Sequence, residues 1–339
     1  MQYHKLLIER PFFFEAGGVL PRLEVAYHTS PRPYSPGEKI VWICHALTAN
    51  SDAEDWWPQM VGPGKLIDTD RYYVVCVNML GSPYGSSSPA TLNPETGRPY
   101  LLDFPRVTVR DIIHATIEVR KALGISKVDL LVGSSIGGFQ ALEWAVQEPE
   151  VIAHAAFMAT SARVTPFLTA TEESQRMALE ADPSFREAAS LKGGEAGLRC
   201  ARSIALLSYR SFECYAATQQ DADPDTLFAD RACSYQRYQG KKLSDRFDAY
   251  CYYTLSYSVD SANVGRGRGG VEAALGRIRA ASTVVAIDSD GIFPPSVMEP
   301  VAAAIPGAQY RLIHSLYGHD GFLLETEQLT AILSPILNA

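Results

Sequence analysis

The strongest chemical signal in the chain is a serine with a glycine two residues to either side: Gly133-Ser134-Ser135-Ile136-Gly137, followed by Gly138. It comes after an apolar run, residues 128–132, and opens a helical pattern over 137–146. Between a strand and a helix, G-x-S-x-G is the tight turn that holds a nucleophilic serine in a strained backbone conformation. The glycines let strand and helix approach closely. Ser135 occupies the central position and is the candidate nucleophile; Ser134 is off centre.

A serine hydroxyl is a weak nucleophile near neutral pH and needs a base. Where this turn is used, the partners follow in the order Ser, acid, His, on loops after later strands. Two such loops exist. Asp288-Ser289-Asp290 follows the run 283–287, and Ser315-Leu316-Tyr317-Gly318-His319 follows 310–314. His319 is therefore the expected base. His314, inside a strand pattern, is expected to pack there, and His4, His28, His114 and His154 lack a suitable position. Spacing treats Asp288 and Asp290 alike: one would fix the histidine tautomer while the other caps the turn or forms a salt bridge. An oxyanion hole would pair the N–H of Ile136 with one from the loop after an early strand. The run 40–45 leads into Ala46-Leu47-Thr48-Ala49-Asn50, which makes Leu47 the second donor.

These residues need a scaffold. Apolar runs at 23–28, 40–45, 72–78, 128–132, 153–158, 283–287 and 310–314 are mostly continuous rather than alternating, as in strands buried on both faces. Helical patterns lie between several. Over 109–123, Ile112, Ile113, Thr116, Val119 and Leu123 share a face, and Gly124 ends the run. Alternating strands and helices predict an α/β fold. With the serine turn, this points to the α/β-hydrolase fold: a mostly parallel central sheet with helices on both faces. From about Arg163 to Arg279 the strand signal fades and helices with breaks replace it, which predicts an inserted helical lid. The expected organisation is a catalytic domain over 1–162 and 280–339, with the lid at 163–279. Gly265-Arg266-Gly267-Arg268-Gly269-Gly270 follows no strand and lacks G-K-[ST], so it reads as a flexible hinge rather than a phosphate loop.

The chain has 339 residues, enough for one large core with an insertion. Its formal net charge of −8, with no Lys/Arg run, argues against a nucleic-acid partner. Lys5, Glu9 and Arg10 interrupt the first twenty residues, which do not read as a secretory signal. No apolar stretch reaches the roughly 18 residues of a membrane span. Six cysteines with no C-x-x-C or zinc spacing predict reduced thiols in a cytoplasmic protein. No H-E-x-x-H or other metal grouping occurs.

The motifs extend well beyond the serine turn. They include His45-Ala46-Leu47-Thr48, Val61-Gly62-Pro63-Gly64-Lys65, Ile67-Asp68-Thr69-Asp70-Arg71-Tyr72 and Asn93-Pro94-Glu95-Thr96-Gly97-Arg98-Pro99-Tyr100. Further on come Gly137-Gly138-Phe139-Gln140-Ala141-Leu142-Glu143-Trp144, Ala201-Arg202-Ser203-Ile204, Ser208-Tyr209-Arg210-Ser211, Tyr238-Gln239-Gly240 and Arg246-Phe247-Asp248. Ser289-Asp290-Gly291-Ile292-Phe293-Pro294 and Gly318-His319-Asp320-Gly321 complete the series. In this order, over nearly the whole chain, they resemble the homoserine O-acetyltransferase family of methionine biosynthesis.

The resemblance implies an acyl-enzyme on Ser135, Asp290 rather than Asp288 as the acid, and His319 as the base. It implies Arg202 for the homoserine carboxylate and Asp320 for its ammonium group, with acetyl-CoA as donor co-substrate, no resident cofactor and a homodimer. Tyr209, seven residues after Arg202 on the same helix face, is a third expected contact, and Arg210 competes with Arg202. Departures are Gly133-Ser134-Ser135-Ile136 where the family often reads G-G-S-M, Ala49 where it reads glycine, and Gly81-Ser82-Pro83 where it reads G-G-C. Succinyl transfer, a serine acceptor and simple ester hydrolysis are the alternatives on the same scaffold. A catalytically silent binding protein is the alternative from another class, and the intact Ser135, Asp290 and His319 set argues against it.

Overall fold

The computed structural model describes residues 1–338. Ten strands are present: β1 (Gln2–Ile8), β2 (Phe12–Phe13), β3 (Val19–Leu20), β4 (Leu23–Thr29), β5 (Ile40–Cys44), β6 (Tyr73–Val77), β7 (Val128–Ser134), β8 (Ile152–Met158), β9 (Ala281–Ile287) and β10 (Gln309–Ile313). Eight form one sheet in the order β1-β4-β6-β5-β7-β8-β9-β10, and β2 pairs with β3 in a separate ribbon. From β6 to β10 every pairing is parallel; β1 and β4 add on antiparallel at one edge. This is the α/β-hydrolase architecture.

The continuous apolar runs are explained by a core on each side of the sheet. Ile40, Trp42 and Cys44 face one hydrophobic cluster, and Val41 and Ile43 face the other. Every residue of β5 and β6 is buried. Trp42 meets Trp144 edge to face at 5.0 Å, a geometry worth about 0.5–1.5 kcal/mol beyond area burial.

The helices are α1 (Ala53–Trp56), α2 (Val109–Ala122), α3 (Ile136–Gln147), α4 (Pro166–Glu180), α5 (Pro183–Glu187), α6 (Glu195–Tyr209), α7 (Phe212–Thr218), α8 (Arg231–Ser244), α9 (Ala249–Asp260), α10 (Val271–Leu275), α11 (Pro295–Ala304), α12 (Gly321–Leu324) and α13 (Thr326–Asn338). Helix α2 begins with a reciprocal Thr108–Asp111 capping box. Gly124, at φ 68°, takes the left-handed conformation that stops it. Helix α3 packs against β5, β7, β8 and α2, so it is buried on nearly all sides.

Between β8 and β9 lie α4 to α10. Helices α4, α6, α8 and α9 pack on one another, each burying an apolar stripe that its own polar face cannot satisfy. The two ends of this excursion meet at a bridge between Arg163 and Asn263. Beyond it, α10 packs on α3 and α11.

Two expectations need correction. Strand β1 carried no clear signal: it is an edge strand paired on one side only, with exposed and half-buried residues and none fully buried. The glycine- and arginine-rich loop 265–270 is anchored rather than a free hinge. Arg268 grips Glu143 of α3 with both terminal nitrogens, and Arg266 pairs with Glu15 at 2.7 Å.

Candidate active site

The serine turn is as tight as its glycines imply. Ser135 sits at φ 58°, a left-handed conformation that is costly for a residue with a side chain. Three hydrogen bonds hold it there. Its N–H donates to the carbonyls of Met158 and Ala159, both at 3.1 Å, and its own carbonyl accepts from the Thr160 hydroxyl at 2.9 Å. A methyl group on Gly137 would collide with the Cys44 carbonyl, and one on Gly133 with that of Gly137. Only glycine lets β5, β7 and α3 converge there.

The loops after β9 and β10 bring an aspartate and a histidine together. Asp290 Oδ2 lies 2.8 Å from His319 Nδ1, with the two residues 2% and 3% exposed. The other carboxylate oxygen accepts from the N–H groups of Ile292 and Phe293 at 2.8 and 3.0 Å, which fixes the rotamer. The imidazole is packed among Tyr209, Phe293 and Phe322. Burial works to lower the His319 pKa, but Asp290, with Asp320 further off, outweighs it and leaves the pKa above its ordinary value. Asp288 has a different partner, lying 2.8 Å from His314 Nδ1. His314 does not pack inside a strand: it falls just past β10, with its side chain 76% exposed.

Gly318 explains the residue before the base. It has φ 66°, and an added methyl would lie 2.7 Å from the Ser211 nitrogen, so glycine lets the His319 loop reach the end of α6. Ser289 clamps the same loop, its hydroxyl accepting from the Gly318 N–H at 3.1 Å.

Ser135, His319, Leu47, Arg202, Tyr209 and Asp320 all line one cavity, which has about 660 Å³ of empty space. Among the described residues, the N–H groups of Leu47 and Ile136 donate to no protein acceptor. The Arg202 guanidinium lies 5.2 Å from the centre of the Tyr209 ring and forms no ion pair among the described residues. Arg210 instead pairs with Asp320 at 3.0 Å, so the two neighbouring arginines differ in what they leave free.

The sequence pattern of a family described as alpha/beta hydrolase fold matches residues 39–326. A homoserine O-acetyltransferase of Trichormus variabilis is 40% identical over 343 aligned residues, covering 98% of this chain and 92% of its own. The chain belongs to the homoserine O-acetyltransferase family. A solved homoserine O-acetyltransferase from Bacillus anthracis superposes with a TM-score of 0.90 at 21% identity, covering 100% of this chain and 98% of its own. An acetylester hydrolase from Corynebacterium glutamicum superposes at 0.87 with 24% identity, covering 100% and 96%. At such identities the likeness is one of fold, and this fold carries both names.

Within the homoserine O-acetyltransferase pattern, the sequence left three contributors unassigned. His45, fully buried, accepts from the Met79 N–H at 3.1 Å through Nε2, and its Nδ1 lies 2.9 Å from the Ala46 carbonyl. That arrangement fixes one neutral tautomer and pins the loop carrying Leu47. Burial pushes the imidazole down to about 4, against the raising effect of the Ala46 carbonyl. Arg246 reaches the Thr48 carbonyl at 2.5 Å and the Tyr84 hydroxyl, and lines the cavity. Glu172 of α4 is buried against a smaller space beside Ser135. The first two belong to motifs whose side-chain partners only the fold reveals. Among the described residues, no group of three or more His, Cys, Asp or Glu side chains could hold a metal ion, and no helix is long and apolar enough to cross a membrane.

Proposed function

We propose that the chain is a ping-pong O-acyltransferase that moves an acetyl group from acetyl-CoA through Ser135 to the hydroxyl of L-homoserine, a step of methionine biosynthesis. One observation carries this reading: Ser135, His319 backed by the buried Asp290, and an Arg202 guanidinium with no ion pair among the described residues meet at a single cavity. Forty per cent identity to a homoserine O-acetyltransferase over nearly the whole chain supports the choice of donor and acceptor.

His319, oriented by Asp290, takes the Ser135 proton through Nε2 as Oγ attacks the thioester carbonyl. The oxyanion rests on the N–H groups of Leu47 and Ile136, which have no other claim on them. The tetrahedral intermediate expels CoA thiolate, which receives the proton from His319. Homoserine then enters. Arg202 holds its carboxylate in the bidentate fashion that a planar guanidinium allows, with Tyr209 beside it. Asp320 holds the ammonium group while remaining paired with Arg210. His319 removes the γ-hydroxyl proton, the oxygen attacks the acyl carbonyl, and Ser135 leaves with the proton restored.

The helical insertion, expected over 163–279, serves as a lid that limits hydrolysis of the acyl-serine. Two chains pair through it. The exposed apolar residues Phe212, Leu227 and Phe228 on the insertion support that pairing. Six free cysteines fit a cytoplasmic setting.

The test combines intact-mass detection of the acyl-enzyme with steady-state kinetics. Wild type is expected to gain one acetyl group from acetyl-CoA and to lose it faster to homoserine than to serine or water. Ser135→Ala gains none. Arg202→Ala acylates normally but needs about 10–100-fold more homoserine, the worth of a lost charged hydrogen bond. An adduct on Ser135→Ala overturns the mechanism, and turnover insensitive to homoserine makes the protein an esterase.

A further inference from the structure

Beside Ser135 a second, much smaller pocket adjoins the first, sharing Leu47, Ser135 and Tyr209 with it. Ser135, Leu47 and Ile136 line it, so it opens at the candidate nucleophile and both candidate oxyanion donors. The rest of its wall is Phe139, Leu168, Val259, Ile292 and Phe293, with two polar side chains, the Tyr209 phenol and the Glu172 carboxyl. Glu172 is 2% exposed, and its Oε2 is fully buried without a hydrogen-bond partner. No arginine or lysine among the described residues lines this inner space; Arg202 and Arg246 line only the outer one. Buried polar atoms are nearly always paired, so an orphan beside a nucleophile calls for an explanation.

We propose that the inner cavity receives the acyl group carried on Ser135, and that Glu172 is its specificity-determining wall, admitting a short uncharged acyl group and refusing one that ends in a carboxylate. This rests on the acyl-transfer reading above. The acyl carbon bonded to Ser135 Oγ, with its oxygen on Leu47 and Ile136, must direct its substituent either outward to the CoA and homoserine side or inward. The inner space begins at those same three residues. An acyl chain ending in a carboxylate would bring a second acidic group into a desolvated space with no cation to balance it. Burying an uncompensated charge is strongly unfavourable.

The surroundings of Glu172 agree. On its own helix it faces Gln175 and Arg176; α9 contributes Asp260 and Tyr252, and α6 contributes Tyr209 with Arg202 behind it. Arg176 is committed to Asp260 at 2.8 Å and to Glu173 at 2.8 Å. Burial raises the Glu172 carboxyl to about 8, the nearby Arg176 opposing it, so near neutral pH it is mostly an uncharged acid. A neutral wall tolerates a methyl group, whereas two acids forced together would have to share one proton.

The experiment measures acylation of Ser135 by intact mass, with no acceptor present, from acetyl-, propionyl-, butyryl- and succinyl-CoA. Wild type is expected to favour acetyl. Glu172→Ala enlarges the space and is expected to raise butyryl relative to acetyl by about tenfold or more, the worth of added methylenes in an apolar pocket. Glu172→Gln keeps both the shape and, near neutral pH, the absence of charge; it is expected to keep the preference for acetyl over succinyl. Acyl selectivity unchanged in the Ala variant, or a Gln variant that takes succinyl as readily as acetyl, overturns the assignment of Glu172. No adduct on wild type from any thioester overturns the acyl-transfer reading and this inference with it, so the two failures are told apart.

Discussion

The Asp-His geometry occurs twice in this chain, and the two copies differ in exposure rather than distance. Both carboxylates lie 2.8 Å from a histidine Nδ1. Asp290 and His319 are buried, so their attraction is little screened, whereas His314 and Asp288 stand largely in water, where such a pair contributes about 0–1 kcal/mol. Asp290→Asn is expected to lower the acylation rate by about 10⁴, since an amide cannot hold the productive tautomer; Asp288→Asn is expected to change it less than about threefold. A base works only when unprotonated, and the His319 pKa is raised. Activity should therefore fall as pH drops, with the midpoint above the ordinary imidazole value of about 6.5. A pH–rate profile of acylation checks both points; if Asp288→Asn does the damage, the acid is misassigned. That His319 and both aspartates follow strands was legible in the sequence. The choice between the acids was not, because residues two apart after a strand differ only in the direction the loop sends each side chain.

Helix α3 carries the serine turn at its start and a buried carboxylate near its end. Glu143 meets Arg268 from the loop after the helical excursion and Arg110 of α2 at 3.4 Å, which ties three separate parts of the chain together. Removing Arg268 leaves the buried Glu143 carboxylate with only the longer Arg110 contact. Arg268→Ala is expected to cost about 3 kcal/mol in denaturant unfolding. Converting Glu143 and Arg268 together to leucine should cost less than the sum of the two single changes, as coupled neighbours do. An additive pair would remove the anchoring role of this contact. The boundaries of α2 and α3 were legible, because an apolar face, a cap and a glycine stop are local signals. The anchoring was not: a glycine-rich basic hexapeptide looks flexible until Glu143, more than 120 residues earlier, is brought beside it. Glu172 was hidden for the same reason. Thr171-Glu172-Glu173-Ser174 reads as a solvent face, and only the packing of α6 and α9 around α4 puts the first glutamate inside.

At the scale of the molecule, the sheet supplies rigidity and the insertion supplies one wall of the cavity, since Arg202 and Tyr209 both lie on α6. If the insertion is also where chains pair, light scattering should give twice the chain mass. Phe212→Asp with Phe228→Asp should shift it towards one. A wild-type monomer at micromolar concentration would remove that role from the insertion. The α/β layering could be read from the sequence because strands buried on both faces leave an unbroken apolar trace. An edge strand such as β1 leaves none. The thiols divide along the same line. Cys44 and Cys76 are sealed in the sheet, Cys214 and Cys251 are buried within the insertion, and only Cys200 and Cys233 are exposed, on α6 and α8. A maleimide dye therefore labels the insertion and leaves the sheet dark. Cys200 lies on the same helix as Arg202, so the unmodified sequence already carries an attachment point for an optical reporter on a helix that lines the cavity.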